Sequence, residues 1–341
     1  MGGNGMALLD LMICRVPGLK GHERIELEKK FDKEDDFSVL SKRDIESILG
    51  RELRGKSWAM PEVRAAAEQD ADAALKLGIR LVSWRESEYP PLLREIYDPP
   101  AILFYRGALP DPLTPLVAVV GTRKPSSRAA GRAFTLGLEL GEAGLAVVSG
   151  LALGIDAMAH RGNIEGRAPT VAVLGSGADY VYPVSNRDLA RRILETGGAL
   201  LSEYPPGTEP RKHNLPARNR IISALARGTV IVEAPEKSGA LITAAFALEQ
   251  GRDLWVDRAG ASSPAGGGTA RLAEEGAGVI DSARDILAEW NLAGPGRNDA
   301  AKGNTGPGRT EGLRPGALQA SGAGLASSLA DYLDISCEEL A

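Results

Sequence analysis

At 341 residues the chain is long enough for one α/β core of ~200 residues with smaller attachments, and its net charge of −5 argues against a uniformly basic nucleic-acid binder. Aromatic residues make up 5% of the chain, too few for a platform of stacked bases, so any nucleic acid would be held through its phosphates. No apolar run approaches the ~20 residues that cross a bilayer, which excludes a membrane span.

Other class signals are also missing. Met6 to Ile13 is broken by Asp10 and has no basic lead-in, so it does not read as a secretory signal. Met6 fails the myristoylation pattern. Cys14 and Cys337 lie near opposite ends with no His or Cys at metal-ligand spacing, which suits a reducing cytoplasm and implies neither metal nor other cofactor.

Residues 1–78 read as a small helical module, with helices at Ala7–Cys14, His22–Phe31, Arg43–Arg51 and Pro61–Leu77. Val16-Pro17-Gly18-Leu19-Lys20-Gly21 is either a helix-hairpin-helix turn able to hold a phosphate or a plain inter-helix loop. From residue 79 to 290 short β-branched runs alternate with amphipathic helices, the pattern of a Rossmann-like, mostly parallel sheet with helices on both faces. The expected strands are Ile79–Ser83, Ala101–Tyr105, Leu116–Val120, Ala146–Ser149, Thr170–Leu174, Ala199–Ser202, Thr229–Glu233 and Asp253–Val256. Between them fall helices at Ser127–Ala143, Ile155–Ile164, Asn186–Glu195, Ala217–Ala226 and Ala240–Gln250. Residues 291–324 have a Gly/Pro-rich linker composition, and 325–341 is room for one amphipathic helix.

In an open parallel sheet, ligands bind beyond the carboxyl ends of the strands, where Gly-rich loops and helix N-termini present N–H groups to an anion. Five segments qualify. Candidate contacts are Gly121, Thr122, Arg123 and Lys124; Ser149, Gly150 and Gly154; Gly175, Ser176 and Gly177; Lys212, Asn214, Arg218, Asn219 and Arg220; and Lys237, Ser238 and Gly239. Each also has a plain structural reading: a strand–Gly–helix junction turns the chain, Ser238 caps a helix, and Arg218 and Arg220 form salt bridges. Asp156 and His160, four apart on a helix, are an acid/base pair or a local hydrogen bond, and no nucleophile–base triad or GxxxxGK[ST] loop is present.

In order and spacing, VVGTRKPS, SGLALGIDAMAH, TVAVLGSGADYVYP, LLSEYPPGTEP, LPARNRIISAL and EAPEKSGALITAAFALEQGRD closely resemble the DNA-processing protein A (DprA/Smf) family. The resemblance implies a non-enzymatic protein that binds single-stranded DNA and helps a RecA-type recombinase load during natural transformation, as a homodimer. It carries the DNA pocket to Gly121, Arg123, Ser149, Gly150, Gly154, Gly175, Gly177, Arg218, Asn219, Arg220, Lys237 and Ser238. Leu215, Leu153 and Val184 depart from the family pattern, where an aromatic and two basic residues are usual. The winged-helix domain of many relatives is not expected in 325–341. Two rival readings are weaker. A phosphoribohydrolase would need a catalytic Glu where Leu272 stands, after Pro264-Ala265-Gly266-Gly267-Gly268-Thr269, and an oxidoreductase would need a third Gly after Gly175-Ser176-Gly177.

Overall fold

The computed structural model describes residues 3–53 and 57–292, so the expected tail and all but the first two residues of the expected linker lie outside the described residues. The chain begins with helices α1 (Gly3–Arg15), α2 (Gly21–Lys30), α3 (Glu34–Ser38), α4 (Lys42–Leu49) and α5 (Met60–Lys76). α4 is framed by its own sequence: Ser41 and Asp44 cap each other's backbone N–H groups, and Gly50 closes the helix at φ 67°. α3 lies outside the four expected helices. Three acids, Glu34, Asp35 and Asp36, fill its first turn, where they oppose the positive end of the helix dipole.

The loop between α1 and α2 is a plain inter-helix connection. The Lys20 N–H donates to Glu23 Oε2 at 2.7 Å, and Arg51 grips both Glu23 oxygens at 2.5 and 2.6 Å while donating to the Gly18 carbonyl at 2.9 Å. A phosphate there would have to displace a carboxylate already clamped by an arginine.

The remainder runs β1 (Arg80–Ser83), α6 (Pro91–Arg94), β2 (Ile102–Gly107), β3 (Leu116–Val120), α7 (Ser127–Glu142), β4 (Ala146–Ser149), α8 (Ile155–Glu165), β5 (Val171–Val173), α9 (Arg187–Glu195), β6 (Ala199–Ser202), α10 (Asn214–Leu225), β7 (Gly228–Ile231), α11 (Gly239–Glu249), β8 (Asp253–Asp257), α12 (Arg258–Ala261), α13 (Gly267–Glu274), β9 (Gly278–Ile280) and α14 (Ala283–Glu289). Among the described residues the strands form one nine-stranded sheet in the order β1-β2-β6-β5-β4-β3-β7-β8-β9. Pairing is parallel from β6 through β9, whereas β1 and β2 add an antiparallel edge.

Both faces of the sheet are covered at its centre, which is why β3 and β5 are apolar at every position instead of alternating. Val117, Val119 and Val147 pack under α7, α8 and α14, and Leu116, Ala118 and Val148 pack under α10, α11 and α13. Each such side chain contributes ~1.5–3 kcal/mol on burial. α7 and α8 approach backbone to backbone: a Cβ on Gly137 would fall 2.3 Å from the Ala159 carbonyl oxygen, and one on Gly162 would fall 2.0 Å from that of Phe134. Only glycine permits that seam.

The helical module shares a core with the antiparallel edge. Leu11, Met12, Leu27 and Phe37 pack with Ile102, Phe104 and Ala178. Arg85, just after β1, reaches into the module, donating to the carbonyls of Glu28 and Phe31 and lying 3.5 Å from Asp10.

β3 sits mid-sheet. The chain steps outward from it through β4, β5 and β6, then returns to β7 on its other side. The order therefore reverses between β3 and β7, and a crevice opens at their carboxyl ends.

Candidate nucleic-acid interface

At that reversal point lies a cleft of about 460 Å³, lined by the loop after β3, the starts of α10 and α11, and the loop after β7. Of the candidate residues, Gly121, Thr122, Arg123, Lys124, Arg218, Asn219, Lys237, Ser238 and Gly239 line it. Arg123, Lys124 and Lys237 are exposed, and among the described residues none has a carboxylate within salt-bridge distance. Three uncompensated cations around one opening form a local positive field in a chain that is acidic overall. The first residues of α10 and α11 open into the same space and add helix-end polarity of the same sign.

The loop carrying Arg123 and Lys124 is fixed from below by Glu233, which follows β7 and is fully buried. Its carboxylate accepts from the Ser126 N–H at 2.8 Å and the Ser126 hydroxyl at 2.9 Å, and its carbonyl accepts from the Thr122 N–H at 2.7 Å. Ser126 in turn caps α7 through the Ala129 N–H. The sequence assigns Glu233 no role; its partners lie over a hundred positions away in the chain, so no local pattern could reveal it.

Gly154 braces the same loop from the other side. It adopts φ 80°, and a Cβ there would fall 2.4 Å from the Thr122 carbonyl.

Arg218 is in the floor, 4% exposed, and its guanidinium donates to the carbonyls of Gly150, at 2.9 Å, and Val173. Burial pushes its pKa down to about 10, opposed by nearby Asp156, and it remains a cation at neutral pH. Asp156 accepts from the N–H groups of Gly150 at 3.1 Å and Ala152 at 3.3 Å, and burial raises its pKa above the ordinary carboxylate value. Arg218 thus ties strand ends together through one terminal nitrogen and backs the cleft electrostatically, while its buried Nε–H has no partner among the described residues.

Arg220 lies outside the cleft. Two positions along α10 from Arg218, it points to the other side, where it is held by both oxygens of Glu203 at 2.7 and 2.6 Å and by the Asp98 carbonyl at 3.1 Å. Several other candidates also lie outside the cleft. Ser149 is buried and donates to the Val119 carbonyl; Gly175, Ser176 and Gly177 are buried, with Ser176 donating to the Tyr180 carbonyl. Lys212 is exposed beside α10 but does not line the cleft, and Asn214 is buried.

Gly150 belongs to a small side pocket shared with Arg123, Leu153, Tyr182, Leu215 and Arg218. Leu215 and Leu153 present aliphatic surface where the family resemblance leads one to look for an aromatic and a base, so this flank of the cleft is apolar.

His160 and Asp156 do not pair. His160 Nδ1 meets the Thr170 hydroxyl at 2.7 Å, and burial holds the imidazole neutral, with its pKa down to about 3. Ser238 caps α11 through the Ala240 N–H at 3.3 Å. Leu272, where a hydrolytic Glu would stand, is buried in the core. Among the described residues no cluster of His, Cys, Asp and Glu has metal-binding placement, and no helix is long and apolar enough to cross a membrane.

A doubly wound sheet with a cation-rimmed crevice at its reversal point defines an α/β protein with a candidate anion site. The family model for DNA recombination-mediator protein A matches residues 80–291, and the chain belongs to that family of recombination mediators. It is 39% identical over 297 residues to the DNA processing protein DprA of Bacillus subtilis, covering 83% of this chain and 95% of that protein. The X-ray structure of DNA processing protein A from Streptococcus pneumoniae superposes with a TM-score of 0.65 at 36% identity, over 84% of this chain and 94% of that one. DNA processing protein A from Helicobacter pylori, whose structure describes a single-stranded DNA binding mode, gives a TM-score of 0.55 at 28% identity, over 62% of this chain and 95% of that one.

Proposed function

We propose that the β3/β7 cleft is where this recombination mediator holds the phosphates of single-stranded DNA, and that as a homodimer it delivers the strand to a RecA-type recombinase. The observation that carries the reading is the trio Arg123, Lys124 and Lys237, exposed around one cleft and, among the described residues, spent on no carboxylate. A duplex offers phosphates at a fixed pitch on a rigid rod, whereas a single strand bends its backbone into a recess and leaves its bases outside.

Arg123 supplies the planar fork suited to two phosphate oxygens, and Lys124 and Lys237 supply point charges. The apolar flank at Leu153, Tyr182 and Leu215 gives bases a surface without edge-specific donors or acceptors, consistent with binding any sequence.

Fluorescence anisotropy with labelled oligo-dT tests this. Three phosphate contacts give a slope of log affinity against log salt of about −2, with ~0.7 per cation for a single strand. Unlabelled duplex should compete poorly. A flat salt response, or equal competition by duplex, overturns the assignment.

A further inference from the structure

At the opposite, amino ends of the strands, before the start of β3, lies a second groove of about 380 Å³. Its walls are the proline-rich connection between β2 and β3, the entry to α6 and the end of α10, with Leu92, Leu113, Leu116 and Leu225 supplying apolar surface. Leu113 is 90% exposed, in a loop where it stands between Pro112 and Thr114. Arg227 stands at the rim, exposed and without a carboxylate partner among the described residues, with Asp111 also lining the groove.

The described chain ends beside this groove. Arg227 lies over the ring of Trp290, 4.5 Å from its centroid; the Arg227 N–H donates to the Leu116 carbonyl at 2.9 Å, and Trp290 Nε1 donates to Asp253 at 2.7 Å. Trp290, two residues before the last described residue, therefore lies about one side chain from the groove mouth. A Gly/Pro-rich connection of the length of 293–324 has a root-mean-square reach of ~30 Å, ample to return the C-terminal segment to that mouth.

The sequence of that segment complements the groove. Leu329, Leu333, Cys337 and Leu340 recur at helical spacing, and Asp331, Asp334, Glu338 and Glu339 are interspersed with no Lys or Arg after Arg314. We propose that the C-terminal segment 325–341 docks its apolar stripe into the Leu92–Leu113–Leu225 groove of its own chain, with its acids toward Arg227. The acidic segment is thereby held at the amino ends of the strands, away from the cationic cleft, where it would otherwise compete with an anionic strand.

Tethering makes the encounter intramolecular, at an effective concentration that a weak contact can exploit. Cys337 allows a direct test in the full-length protein, because Cys14 is packed in the helical module and burial pushes its thiol up to about 12. Leu113→Cys places a partner thiol at the groove, and Leu153→Cys, at a position 46% exposed beside the cationic cleft, is the control. Under mild oxidation the intrachain disulfide to Cys337 should form roughly tenfold faster in Leu113→Cys than in the control, and adding Arg227→Glu should slow it. Equal rates at the two sites, or faster capture at Leu153→Cys, overturn the proposal. A disulfide between two chains assigns the groove to a second copy and overturns it equally. None of these outcomes depends on whether the cleft binds DNA.

Discussion

The helical module and the β3/β7 cleft use cations in opposite ways. At the module, four arginines are matched with acids: Arg15 with Asp70, Arg51 with Glu23, Arg64 with Glu34, and Arg85, reaching in from just after β1, with Asp10 and Asp32. In the cleft, Arg123, Lys124 and Lys237 meet no acid among the described residues, and the loop that carries two of them is held by Glu233 through Ser126 instead. The lesson concerns net charge. A total of −5 is compatible with an anion site because the acids are engaged or solvated elsewhere, and the charges that matter are those the fold leaves unspent. α10 repeats the contrast within one helix, where Arg218 backs the cleft and Arg220 is consumed by Glu203.

The strongest way to break this contrast is to remove the unspent cations. Arg123→Ala/Lys124→Ala/Lys237→Ala should weaken oligo-dT binding roughly a thousandfold or more, at ~1.5 kcal/mol per charge-assisted contact, while the melting temperature stays put. Next in size is Arg218→Ala, which strands Asp156 and two buried carbonyls. It should cost on the order of 3 kcal/mol of stability by denaturant titration. Arg51→Ala should cost on the order of 2 kcal/mol by exposing Glu23 and the α2 start, yet leave oligo-dT affinity within about twofold. Arg220→Ala should behave in the same way, stability falling and affinity holding.

A pH dependence also separates the two regions. Burial, reinforced by Asp10, raises the Glu28 carboxyl to about 9, so the folded module keeps a proton that the unfolded chain releases above about 4.5. Its contribution is full below that pH and declines as pH rises toward 9. His160, under the sheet, has the opposite sign: with its pKa lowered from 6.5 to about 3, the stability it contributes falls as pH drops through that window. Hydrogen exchange should show the module loosening first on the alkaline side, and Glu28→Gln should flatten that limb. An unchanged alkaline limb in Glu28→Gln would remove Glu28 as its source.

Much of the fold is legible because strands buried on both faces announce themselves as apolar runs. Leu116–Val120 and Ala146–Ser149 are readable to the residue. β9 escapes such a reading because Gly278 and Val279 are exposed at the sheet edge and carry no such signal. The antiparallel direction of β1 and β2 escapes it too, since direction depends on where the chain returns and not on composition. In the cleft, the strand-end loops are visible as Gly-rich junctions, but which cations stay free is not. Arg220 is consumed by Glu203 and Asp98, the latter more than a hundred positions away. One further signal does lie in the sequence: at ~100° per residue, Arg218 and Arg220 cannot share a helix face.

The most direct measurement is lysine footprinting by acetylation and mass spectrometry, with and without saturating oligo-dT. Lys124 and Lys237 should lose most of their reactivity on binding, while Lys30, Lys33 and Lys76, exposed on the helical module, keep theirs. Unchanged reactivity at Lys124 and Lys237, or protection on the module instead, would contradict a phosphate site in the β3/β7 cleft.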